Sequence, residues 1–243
     1  MSPPALSAEE RSGIVREGLA VGVATGAYGL GFGAVAVASG LSIPQTCALS
    51  LLMFTGASQF ALVGVVAAGG APLSGAATAL LLGTRNTLYG LRMAPLLQWR
   101  GWRRAAAAHI LIDESTAMSV GRRSTPAARL GFLTAGVSVF VLWNLATAIG
   151  AVAGDAIGDP RTFGLDAAVG AAFLALLWPR LKDRRNVVVA LLAAAVALSM
   201  VTVSPPGVPV LAAGGVALLV GVMSRRDDTT EIPAPGDVAG GGG

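Results

Sequence analysis

Charge is scarce in this sequence, and what there is falls unevenly. Only 12% of the 243 residues are Asp, Glu, Lys or Arg, against about 25% in an ordinary soluble domain. Residues 18–84 carry no formal charge at all. A transmembrane helix needs about 20 predominantly apolar residues, so that run holds two full spans and most of a third. Cysteine and histidine are almost missing. Cys47 alone excludes an intrachain disulfide and a thiolate cluster, and His109 alone excludes a histidine-rich metal site. Neither a metal nor a cofactor is therefore expected. The G-x-x-x-x-G-K-[ST] loop is lacking, so the chain has no ATPase motif of its own. G-x-S-x-G and H-E-x-x-H are lacking as well, which removes the hydrolase and zinc-protease signatures.

What is present is apolar: 54% hydrophobic residues and a mean hydropathy of +0.70. Segments such as "VVVALLAAAVAL" (187–198) are apolar all round, whereas barrel strands alternate. The class that follows is all-α: a polytopic transmembrane helical bundle of about seven or eight spans, with room for broken or re-entrant helices. Candidate spans are 14–38, 46–69, 73–97, 105–121, 130–154, 163–180, 186–203 and 208–224. "GLSIPQ" (40–45), "GGAP" (69–72) and "SPPGVP" (204–209) join them with helix-ending Gly and Pro. Residues 1–13 read as an N-terminal tail, 14–224 as a single transmembrane domain, and 225–243 as a disordered tail. The first apolar stretch is long and its leader mixes acid with base, so an uncleaved signal-anchor is expected.

The net charge of +4 does not point to nucleic acid, because the basic residues gather in short loops, as membrane orientation requires. "GRRSTPAAR" (121–129), "RLKDRR" (180–185) and the arginines at 225–226 fall on one side, with 154–166 and 204–209 on the other. By this rule the C-terminus is cytoplasmic. "RGWRR" (100–104) fits the same pattern only if 105–121 does not cross, and that segment carries His109, Asp113 and Glu114.

Several polar residues lie where the bilayer would be. Arg85 and Asn86 sit at the middle of "ALLLGTRNTLYGLRMAP" (79–95). A mid-span arginine costs about 2.5–3.5 kcal/mol or more and must face protein, a carboxylate or water. A structural ion pair with Asp113 or Glu114 is one reading. A guanidinium that holds a substrate carboxylate is the other. Arg92 is close enough to a span end to snorkel. Asp113 and Glu114 are adjacent and cannot share one helix face, so different partners are expected. They read either as a helix cap or as proton-coupling carboxylates, with His109 as a relay partner. Gln59, in "LLMFTGASQF" (51–60), reads as packing glue or, with Ser58, as the wall of a polar pocket. Gly22 and Gly26, then Gly29, Gly31 and Gly33, read as a helix-packing face or an unwound segment, and Gly56 belongs to the same group.

Four blocks then fall in a familiar order: "YGLGFGAVAVASGLSIPQ" (28–45), "SLLMFTGASQFALVGVVAAGGAP" (50–72), "RNTLYGLRMAP" (85–95) and "DESTA" (113–117). Together they resemble the AzlC family, the large subunits of bacterial branched-chain amino-acid exporters. The resemblance implies multi-pass residence in the bacterial cytoplasmic membrane and efflux of valine, leucine, isoleucine or their analogues. It also implies a small AzlD-type membrane subunit as partner. On it, Ser58, Gln59, Arg85, Asn86 and Tyr28 become candidate substrate ligands, and Asp113 and Glu114 candidate proton carriers. Gly83, Asn86 and Ile112 stand where the family pattern has Asn, His and Thr, and Arg92 replaces a small polar residue. Alternatives are an integral membrane enzyme using Asp113 and Glu114 as acid and base, and a structural subunit docking through its glycines.

Overall fold

A computed structural model describes residues 6–157, 174, 177–205 and 207–227. It divides into two compact units, Met1–Leu177 and Trp178–Gly243. All regular structure among the described residues is helical. In the first unit, α1 (Ala8–Gly26) and α2 (Tyr28–Ala38) are interrupted only at Ala27 and together form a helical stretch of 31 residues, Ala8–Ala38, with an apolar window long enough to cross a membrane. The expected tail over 1–13 needs correction, because helix begins at Ala8. Ser7 caps it by accepting the Glu10 N–H at 3.1 Å, and Glu9 and Glu10 favour the positive end of the helix dipole.

The span expected at 46–69 is two helices, α3 (Ile43–Leu52) and α4 (Gly56–Ala67). A reciprocal box starts α3: Ser42 Oγ accepts from Gln45 N–H, and Gln45 Oε1 accepts from Ser42 N–H at 2.8 Å. After it comes α5 (Pro72–Leu97), then α6 (Trp102–His109), α7 (Asp113–Ala117) and α8 (Thr125–Ile157). The segment 105–121 is thus broken at 110–112, in line with its polar content. In the second unit a 3-10 turn (Trp178–Lys182) leads into α9 (Arg184–Val201), which packs on α10 (Val208–Asp227). Most of the span expected at 163–180, and all of the C-terminal tail past Asp227, lie outside the described residues. Among the described residues, three helical stretches are long and apolar enough to cross a membrane: Ala8–Ala38, Thr125–Ala156 and Arg184–Val201.

The glycines decide how α1, α2 and α8 meet. A Cβ on Gly18, Gly22 or Gly26 would collide with Thr134, Ser138 or Leu142, and one on Gly29 or Gly33 with the carbonyls of Trp143 or Thr147. From the other side, a Cβ on Gly150 would meet the Leu30 carbonyl. The Ser138 hydroxyl donates to the Gly18 carbonyl across the seam at 3.0 Å. Gly22, Gly26, Gly29 and Gly33 therefore serve close backbone approach, and the helix is not unwound at the cluster. Gly31 is the exception: nothing stands within 4 Å of its Cβ position, so it lies off the packing face. Gly56 faces the Trp143 ring, 3.1 Å from where its Cβ would be. Around that ring Phe32, Phe54, Phe60 and Val139 form the buried core.

Candidate functional site

Two helix breaks lie at the centre of the first unit. A helix end leaves its last carbonyls without intrahelical donors, and in a bilayer each unsatisfied group costs several kcal/mol. At the end of α3 those carbonyls are taken by side chains. Gln59 Nε2 donates to Met53 O at 2.6 Å and lies 3.4 Å from Ser50 O. The Leu51 carbonyl stands 2.9 Å from His109 Nε2, so the tautomer with its proton there donates to it. The other half of the Gln59 amide, Oε1, accepts from Trp143 Nε1–H at 3.1 Å. Gln59 is fully buried with both ends engaged. Ser58, equally buried, donates to the Ala79 carbonyl of α5 at 2.8 Å. Gln59 holds the broken helix together and Ser58 ties α4 to α5, so the polar groups of both are taken by protein. Tyr28 is 59% exposed at the start of α2.

The second break is sealed by Ser115, whose hydroxyl accepts from Ile112 N–H at 3.0 Å and donates to the Ile110 carbonyl at 2.8 Å. Immediately beyond it, the first turn of α7 presents Asp113 and Glu114. They diverge, as adjacency requires. Asp113 Oδ2 pairs with Arg85 Nη1 at 3.2 Å, and Glu114 Oε1 accepts from Thr25 Oγ1 of α1 at 3.4 Å. His109, four residues before Asp113, serves the other break instead of a relay to it. Arg85 lies near the midpoint of the 26-residue α5, with its side chain and that of Asp113 each 33% exposed. Arg85 Nε, Asn86 Oδ1 and Thr116 Oγ1 are buried and have no hydrogen-bond partner among the described residues. The cluster thus keeps unused donor and acceptor capacity beside an ion pair that is not sealed off.

From Asn86 a cavity of about 460 Å³ runs between α5 and α6. Among the described residues, no group of three His, Cys, Asp or Glu side chains could hold a metal ion.

Trp143, Thr25 and the role of His109 were not evident in the sequence. A tryptophan beside an asparagine in the middle of "VFVLWNLATAIG" (139–150) was the available signal for the first.

The AzlC protein family matches residues 20–157, which takes in both breaks, Arg85 and the seam with α8. The chain belongs to the AzlC family. An uncharacterized membrane protein of Archaeoglobus fulgidus is 33% identical over 184 residues, covering 75% of this chain and 80% of that one. No solved structure matches. This AzlC chain is accordingly a helical membrane protein of a transporter-type family.

Proposed function

We propose that the chain is a secondary transporter that exports branched-chain amino acids across the cytoplasmic membrane. In this reading it works with a small AzlD-type subunit and has its C-terminus in the cytoplasm. The observation that carries it is the Arg85–Asp113 pair at mid-helix, with Glu114 beside it and unpartnered polar atoms on Arg85 and Asn86. Opposite charges 3.2 Å apart match a zwitterion. The substrate carboxylate takes the guanidinium of Arg85, which can hold it with two parallel N–H donors. The ammonium takes Asp113 or Glu114. Asp113 and Glu114 are the candidate proton carriers in this reading, because the exchange of ion-pair partners takes place at them. The valine, leucine and isoleucine class rests on membership of the family. Ser58, Gln59 and Tyr28 have no direct part in this scheme.

The test is counterflow of labelled leucine or valine in liposomes holding the purified chain, with and without its partner subunit. Efflux should require both subunits and respond to an imposed proton gradient; no flux from folded, co-reconstituted subunits would reject the reading. Arg85→Ala should abolish flux while the protein stays in the membrane, and flux at the wild-type rate would remove Arg85 from the substrate site.

A further inference from the structure

The groove between α5 and α6 is too long and too apolar to be only the mouth of the polar cluster. Its floor is buried and built from Met93, Leu111 and Phe132, while its rims, Leu91 and Ala108, are exposed. From Asn86 to Leu97 it follows α5 for a rise of about 16 Å at 1.5 Å per residue. That is close to one leaflet's half of a hydrocarbon core about 30 Å thick. Asn86 marks the mid-depth end, and Arg104 lines the other.

The Arg104 end is an unpaired basic cluster. Arg100, Arg103 and Arg104 are exposed, no carboxylate pairs with any of them among the described residues, and 86–112 contains no Asp or Glu. Trp102, 77% exposed, carries the Arg103 guanidinium over its ring at 5.8 Å. Exposed tryptophan beside arginine is the composition of a membrane–water interface. Arg129 is already engaged, donating to the Leu97 carbonyl at 2.7 Å and lying over Trp99. The arginines at 100–104 are the ones left to meet an anion.

We propose that this groove binds an anionic diacyl phospholipid. The phosphate rests on Arg104 with Arg100 and Arg103 beside it, and one acyl chain lies along Met93, Leu111 and Phe132 towards Asn86. A basic cluster at the interface supplies the charge that such a headgroup needs, and the groove supplies the length that an acyl chain needs. The site is independent of what the protein transports.

The full chain, purified in mild detergent, should be titrated with phosphatidylglycerol and with phosphatidylcholine and read by native mass spectrometry. Wild type should retain phosphatidylglycerol preferentially. Arg104→Gln should cut that preference about fivefold, the usual weight of one interfacial basic residue. Ala94→Trp, which fills the groove, should lose both lipids. Glycerol phosphate and free leucine should displace neither. Equal retention of the two lipids by wild type would overturn the proposal, as would unchanged binding in both folded variants. Displacement by leucine would assign the groove to the amino acid instead, and displacement by glycerol phosphate would reduce it to a site for soluble phosphate. Elution of each variant as one species on size exclusion controls for folding.

Discussion

The two helix breaks sit close together and are closed by opposite means. At 53–55 the freed carbonyls meet a neutral amide and an imidazole, and Gln59 is shut away from any solvent. At 110–112 a single serine closes the backbone, and the turn that follows carries two acids, of which Asp113 is paired to Arg85 and is 33% exposed. A break held by neutral groups, with only the Thr55 hydroxyl left without a partner among the described residues, is a joint. One that places ions next to unused donors and acceptors can exchange partners. Membrane depth alone does not make a polar residue functional; the test is whether its hydrogen-bonding capacity is already spent.

Four substitutions press on that contrast. The largest effect on stability is expected from Gln59→Leu, which strands the buried Trp143 N–H at about 1–3 kcal/mol and takes from the Met53 carbonyl one of its two donors, the other being the Thr55 N–H. Detergent unfolding followed by Trp fluorescence should show it, and an unfolding midpoint like that of wild type would break the joint reading. Arg85→Gln comes next. It leaves Asp113 without its cation, a loss of about 1–3 kcal/mol once the partial exposure of the pair is allowed for. The double variant Arg85→Gln/Asp113→Asn should recover most of that stability and none of the flux; recovered flux would make the pair purely structural.

His109→Ala should cost about 0.5–1.5 kcal/mol, the worth of one hydrogen bond, because the ring is exposed. His109→Gln, which keeps a donor, should regain part of it, and equal losses in both would mean the Leu51 contact is not what matters. The smallest change belongs to Gly31→Ala. Helix flanks it and its Cβ position is open, so the substitution should be neutral or stabilise by up to about 1 kcal/mol. Marked destabilisation, read in the same unfolding assay, would argue for a third break within the glycine cluster.

Composition carried the helical membrane class and most helix positions, because lipid demands long apolar runs and helical backbone throughout. The break at 110–112 was foreshadowed by His109, Asp113 and Glu114, whose charge is hard to place in a continuous span. That at 53–55 was marked only by Gly56, read as a helix-packing or unwound position, since "MFTGA" holds no charge and no proline to interrupt a helix. Pairing of Arg85 with Asp113 or Glu114 was legible from charge balance, since residues 18–112 hold no acid for a mid-span arginine to meet; which of the two it meets was not. The fate of Gln59 was not legible, because its partners are backbone carbonyls, and any residue type can offer those. Thr25 was hidden for a similar reason, being one small polar residue among the alanines and glycines of α1.

The seam of α1 and α2 against α8 has a mechanical consequence. With α8 seated against five glycines, by side chains at Gly18, Gly22 and Gly26 and by backbone at Gly29 and Gly33, these helices resist sliding past one another by less than a full turn. A smaller shift would drive the neighbouring Cβ atoms of larger residues into the contact. They behave as a single keyed shaft. Any rocking motion that exposes Arg85 first to one side and then to the other must be carried by α5, α6 and α7, turning against that shaft about the two joints.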